Sequence, residues 1–229
     1  MTPMAGAEVA PLPDSALALS VLRLEPGDTI TCADPTNDSL FYVFSGDGTL
    51  ELGERHELAP GTAGLVLAGE EAAITSGVAG MGLVHARAGP DSDRHAPLGA
   101  REAVVRLDPA RSADATGARA FQILLGPQTG SARATLFVGL IPPGKAPWHY
   151  HLYDEIVFVP EGPAKLHIGE AVEEVGAGLA FRLRPRQIHV VENPSLDQTL
   201  TIVGIFSPAG SPSAAYLAQD VADSYRFSS

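Results

Sequence analysis

His149 and His151 stand two residues apart, Glu155 follows four residues later, and His189 opens a separate apolar run. On an extended strand, residues i and i+2 leave the same face, so both imidazoles point one way and Glu155 stays in phase just past a bend. A closed barrel brings the His189 strand across the interior. Three imidazoles and one carboxylate converging in an apolar enclosure are metal ligands by type. The mix suits iron, manganese, zinc, nickel or copper and is unlike the all-oxygen cage of calcium. A satisfied histidine group without metal is the plain alternative, but a buried charge without a partner costs several kcal/mol. An open coordination position would let Glu155 act as a base as well as a ligand.

The elements that must position these groups read as β-strands. Turn signals recur along the chain at Pro26-Gly27-Asp28, Ser45-Gly46-Asp47-Gly48, Pro60-Gly61, Pro142-Pro143-Gly144, Gly162-Pro163, Gly176-Ala177-Gly178 and Asn193-Pro194. Between them lie short apolar runs: Leu40 to Phe44, Gly64 to Leu67, Ala134 to Leu140, Glu155 to Val159, Ala164 to Ile168, Leu179 to Leu183 and Leu200 to Phe206. Short strands with Gly/Pro punctuation predict an all-β sandwich or barrel. The 24 Gly and 19 Pro are then corners, not disorder. Ser213 to Asp223 alone carries helical spacing, with Ser213 as cap and Ala214, Leu217, Ala218 and Val221 on one face, and predicts a short C-terminal helix.

The chain also repeats itself. Ser39 and Gly46 align with Glu155 and Gly162 at an offset of 116 residues, and Gly61 aligns with Gly178 at 117. Two copies of one β unit imply duplication, with halves at 1–88 and 118–229 and a polar, turn-rich connector at 89–117. The ligand positions of the second copy correspond in the first to Ala33, Pro35, Ser39 and Ala72. None of these side chains ligates a metal well.

The second copy resembles the cupin superfamily. Gly144, His149, His151, Glu155 and Gly162 follow the first cupin motif with four residues in place of five after Gly144; Gly178, His189 and Asn193 follow the second. Arg184 and Arg186 stand at that motif's Pro and Gly positions, with Pro185 between them, a departure that concerns turn shape and not ligands. The resemblance covers most of residues 134–206. It implies two tandem jelly-roll barrels, a bicupin with its metal site in the C-terminal barrel, and a homodimer. It also implies one divalent transition metal per chain, iron or manganese before zinc, nickel or copper, held by His149, His151, Glu155 and His189.

Other residues narrow the chemistry. If Ala164, Leu166 and Ile168 face the barrel, His167 points outward. Val157, Leu166 and Phe181 are the expected substrate wall, an apolar one that points to a hydrophobic or aromatic molecule with a polar, metal-binding end. Trp148, Tyr150 and Tyr153 are candidates for an aromatic rim. Arg182, Arg184 and Arg186 read as an exposed or interface row. His56, His85 and His95 read as surface or loop residues, and Cys32 as a small buried hydrophobe.

With 15 Lys+Arg against 27 Asp+Glu, the net charge of −12 leaves no basic cluster to neutralise nucleic acid or anionic lipid. One cysteine excludes a disulfide framework, and no apolar stretch approaches the roughly 18 residues of a membrane span. Met1 to Ser20 lacks the basic start of a signal peptide. The expectation is a cytoplasmic protein that acts on a small organic molecule, as a dioxygenase-like oxidoreductase. Non-redox isomerase, decarboxylase, lyase or hydrolase chemistry, or ligand binding without catalysis, are the alternatives.

Overall fold

The computed structural model describes residues 6–8, 15, 17–90, 96–115 and 119–217. The first half is a single antiparallel sheet: β1 (Gly6–Glu8), β2 (Leu17–Leu24), β3 (Thr29–Ala33), β4 (Asp38–Leu52), β5 (Glu54–Leu58), β6 (Thr62–Val66), β7 (Glu71–Ala88) and β8 (Val104–Arg106). Its order is β1-β2-β7-β4-β6-β8, with β3 on β7 and β5 on β4. Strands β4 and β7, of 15 and 18 residues, are long enough to serve two walls because they bend together. The bend lies at bulges between Val43 and Ser45 and between Gly46 and Gly48. There Gly46 and Gly80 both take positive φ, and a Cβ on Gly46 would strike the carbonyl of Gly80, so only glycine lets the ribbon fold over.

The second half comprises β9 (Ala113–Asp114), β10 (Ala120–Leu125), β11 (Thr135–Ile141), β12 (Gly144–Lys145), β13 (His149–His151), β14 (Asp154–Phe158), β15 (Ala164–Ile168), β16 (Ala171–Val175), β17 (Ala180–Leu183), β18 (His189–Asn193), β19 (Leu200–Ser207) and β20 (Ala215–Leu217). They form two six-stranded antiparallel sheets, β17-β14-β19-β11-β10-β9 and β16-β15-β18-β13-β20, with β12 on β18. The all-β jelly-roll expectation holds, and each apolar run named from sequence is a strand. Strands β8 and β9, within the segment read as connector, pair with β6 and β10, one in each half.

Over its described residues, 213–217, the expected C-terminal helix is not formed. Ala215–Leu217 is instead strand β20, laid against β13 with Ala215 opposite His151 and Leu217 opposite His149; residues 218–223 of that prediction lie outside the described residues. The physical reason is the open edge of β13. Pairing there satisfies backbone groups of both segments, whereas a short helix on its own is marginal in water.

Strand alternation divides the apolar residues among distinct cores. Leu40 and Tyr42 of β4, Val84 and Ala86 of β7, Leu136 and Val138 of β11, Ile156 and Phe158 of β14, and Val203 and Ile205 of β19 form one cluster that joins the two halves. The opposite faces fill the barrels, with Phe41, Val43 and Leu83 in the first and Val157, Leu166 and Ile202 in the second. Polar ties cross the same boundary. Arg133 donates to the Thr36 carbonyl at 2.6 Å, and Ser15 donates to Asp154 Oδ2 at 2.5 Å. Because the largest cluster belongs to both halves, the chain should unfold in one cooperative step. Phe158→Ala should cost about 3–5 kcal/mol, and denaturant titrations read separately at Trp148 and by far-UV circular dichroism should give coincident midpoints.

Candidate metal centre

His149 and His151 sit on β13, Glu155 on β14 and His189 on β18. His149 and His189 are direct cross-strand partners, with ring centroids 4.4 Å apart, and the His151 ring lies 5.0 Å from that of His189. Glu155 Oε2 is 3.0 Å from His151 Nε2. All four residues are buried. The tertiary structure therefore brings together the four residues singled out from sequence.

The rings are held in one chemical state. Nδ1 of His149 donates to the Pro147 carbonyl at 3.0 Å, Nδ1 of His151 to the Tyr153 carbonyl at 2.8 Å and Nδ1 of His189 to the Gln187 carbonyl at 2.8 Å. A carbonyl can only accept, so each Nδ1 carries a proton, and a ring that is neutral presents its Nε2 lone pair. Burial pushes His149 down to about 4 and His189 down to about 3, so both are neutral at physiological pH. His151 Nε2 is buried with no hydrogen-bond partner. The Glu155 carboxylate oxygen 3.0 Å away closes no hydrogen bond with it, and a cation near both would satisfy the pair. Among the described residues no three His, Cys, Asp or Glu side chains are already drawn into coordination geometry. The donor chemistry nonetheless fits a divalent transition metal, with neutral imidazoles, one carboxylate, and backbone carbonyls fixing the outer nitrogens.

Local packing explains the placement. His151 stacks on Tyr153 at 4.1 Å, and Tyr153 stacks in turn on Phe206 at 3.9 Å. Glu155 lies over Gly204, where a Cβ would come within 2.8 Å of its Oε1 and collide with the Phe137 ring. The turn before His189 is closed by the Arg186 amide donating to the His151 carbonyl at 2.7 Å. Arg186, at the position where the cupin motif has Gly, adopts φ 64°. Asn193 Nδ2 donates to the carbonyls of Ile141 and Gln198, at 2.8 and 2.7 Å, and anchors the far end of β18.

The cluster opens on a cavity of about 90 Å³ walled by residues that include Phe121, Phe137, Val157, Leu183, Val191 and Ile202. Val157 of the expected substrate wall lines it. Leu166 and Phe181 do not, and belong to the apolar cluster of the same barrel. Of the aromatic trio, Tyr153 lines the cavity, Tyr150 stacks on Tyr216 at 5.3 Å, and Trp148 packs beside His167. His167 lies outside the cavity wall and is buried, 2.6 Å from Glu192 and 3.3 Å from Lys145. Arg182 makes a bidentate pair with Asp154 at 2.7 and 2.8 Å. The cation that does line the cavity is Arg119, whose charge acts on Glu155, Tyr153, His149 and His189. Burial lowers its pKa, yet a guanidinium stays protonated at neutral pH. Sequence reasoning missed Arg119 because it stands at the very start of the second half, next to the connector, and no spacing links it to the ligands.

The comparisons agree with this architecture. A family model described as "Cupin domain" matches residues 136–206, the stretch that holds β13, β14 and β18. Residues 136–206 are a cupin domain. Bacillus subtilis oxalate decarboxylase, in a single-residue mutant form, is similar in structure at a TM-score of 0.74 and 14% identity, over 94% of this chain and 75% of that one. AerE from Microcystis aeruginosa aligns at 0.70 and 15% identity over 89% of this chain and 97% of its own. A cupin 2 conserved barrel domain protein from Leptotrichia buccalis aligns at 0.62 and 15%, over 90% and 91%. The chain as a whole has the fold of these neighbours. No curated protein matches in sequence. No helix among the described residues is long and apolar enough to cross a membrane.

Two outcomes follow for this site. In the metal-free chain, His149 and His189 bind protons in the unfolded state below about pH 6.5 but resist them when folded. The unfolded state then holds more protons, so stability falls as pH drops below about 6.5, by up to about 1.4 kcal/mol per pH unit for each ring. Thermal unfolding at pH 7 and pH 5 in chelator reads this, and His149→Gln with His189→Gln should flatten the dependence. Separately, Arg186→Gly should relieve a left-handed strain of about 1–2 kcal/mol, less the added freedom of the unfolded glycine, and leave the midpoint unchanged or raised.

Proposed function

We propose that this protein is a metal-dependent enzyme acting on a small organic acid, with iron or manganese held by His149, His151, Glu155 and His189. The observation that carries the reading is the convergence of three imidazoles, each with its Nδ1 tied to a backbone carbonyl, and one carboxylate on a mostly apolar cavity. A bound metal would supply open positions that polarise substrate oxygens and admit O₂. The chain's own residues do the rest. Arg119 offers its guanidinium to a substrate carboxylate. Phe137, Val157 and Ile202 exclude water and strengthen every charge interaction inside. Glu155 Oε2 is the group placed to take or return a proton.

A dioxygenase-type oxidation is the first reaction read from the cluster. Non-redox decarboxylation is the second, and the size and charge of the cavity suit the small acid it would take. The cavity of about 90 Å³ is smaller than the ~150 Å³ that holds a benzene ring, and Arg119 adds a fixed positive charge. A small acid fits this space where the aromatic substrate expected from the apolar wall does not.

The full chain should carry about one transition metal, and His149→Ala with His151→Ala should remove it; metal analysis giving two per chain would contradict the assignment. Arg119→Gln should raise KM for small keto or hydroxy acids by about 10–100-fold without loss of metal. Oxygen consumption matched to turnover identifies the oxidation. Equal anaerobic turnover identifies the non-redox reaction, and retained metal with no turnover on any acid sinks the enzymatic reading.

A further inference from the structure

The first barrel keeps a cavity at the place where the second has its four-donor cluster. The ladders establish the correspondence, with Cys32 and not the expected Ala33 standing where His149 does. Cys32 is paired with Ala72 as His149 is with His189, and Ser39 with Arg87 as Glu155 is with Phe206. Strand β7 turns Val84, Ala86 and Ala88 toward the second half. By alternation, Leu83, His85 and Arg87 face the other way, into and around the mouth of the first barrel. The cavity there has a volume of about 260 Å³, and its wall includes Ser20, Cys32, Asp34, Ser39, His85 and Arg87.

His85, expected as a surface or loop residue, is mid-strand, and its Nε2 is buried without a hydrogen-bond partner. A buried nitrogen of this kind is costly to leave unpaired and is paired in nearly all native structures. Arg87 stands beside it, exposed at the mouth. Arg101 and Arg133 reach carboxylates, and Arg182 pairs with Asp154, but Arg87 makes no ion pair among the described residues. One acidic residue, Asp34, lines the same cavity, and its oxygens are already taken up. They accept from the Thr36 and Asn37 amides at 2.9 and 3.0 Å, from Asn37 Nδ2 at 2.8 Å and from the Thr36 hydroxyl at 3.0 Å.

A metal does not suit this wall. Burial pushes the Cys32 thiol up to about 11, away from the thiolate that ligates. His85 is held down to about 4 by burial and by Arg87, so its ring is neutral and offers one N–H. Hydroxyls, an N–H and a guanidinium form a donor set for an acceptor-rich anion, while the Asp34 carboxylate keeps its charge but is held by four hydrogen bonds to Thr36 and Asn37.

We propose that the first barrel is a second ligand site that binds a small carboxylate, one oxygen on the Arg87 guanidinium and the other accepting from His85, with the Ser20 and Ser39 hydroxyls at its sides. The cavity admits a molecule of a few carbons. The site is separate from the metal cluster and does not depend on the reaction proposed for it.

Calorimetric titration of the full chain with malonate tests this, using His149→Ala with His151→Ala so that chelation in the second barrel contributes nothing. The wild-type chain stripped of metal by chelator gives the same reading if that variant folds poorly. One saturable site per chain is expected, at least tenfold weaker in Arg87→Gln, with the His85 imidazole resonances shifting on malonate addition. Arg87 is exposed, so its substitution leaves the barrel intact. Absence of saturation, equal binding of uncharged malonamide, phosphate binding as tightly as malonate, or an Arg87→Gln variant that binds unchanged would each overturn the assignment.

Discussion

The structure depends on strands that are buried on both faces. In β11, β14 and β19 one parity of side chains seals the second half against the first, and the other parity fills or lines the second barrel. Ile156 and Phe158 are thus committed to the interface by the same alternation that turns Glu155 and Val157 inward. A slip of one residue in β14 would place the carboxylate in the interface and a phenylalanine in the cavity, exchanging both cores at once. The position of Glu155 is therefore held by the packing of the whole molecule and not by its immediate neighbours alone.

The same logic explains why the first barrel persists without a metal cluster of its own. Leu40, Tyr42, Val84 and Ala86 supply one side of the shared core. Without them the apolar face of β11, β14 and β19 would stand exposed as a large patch. The two interiors differ while the faces between them are matched. One interior collects imidazoles whose outer nitrogens are fixed by backbone carbonyls; the other collects Cys32, Ser39, His85 and Arg87 around a cavity.

Much of the site was legible along the chain. The two-residue spacing of His149 and His151 and the in-phase Glu155 require only strand periodicity, and His189 leads a run that any closed barrel returns across the interior. Arg119 was not legible, because it enters the cavity from a segment with no periodic signal. His85 was not legible either, since a single histidine in an apolar strand carries no information about which barrel face it takes. The C-terminal segment was misread for a related reason. Ala214, Leu217, Ala218 and Val221 do fall at helical spacing, but local propensity is weak beside an open strand edge that needs a partner.

By itself the sequence determined the all-β class, the strands and which residues could serve as donors, since each follows from local periodicity, turn chemistry or residue type. Only the tertiary structure decided how the halves share a core, that β20 closes the edge of β13, which cation reaches the cavity and how small that cavity is. Those features arise from contacts between residues far apart in the chain, where burial and register, not spacing, choose each side chain's surroundings.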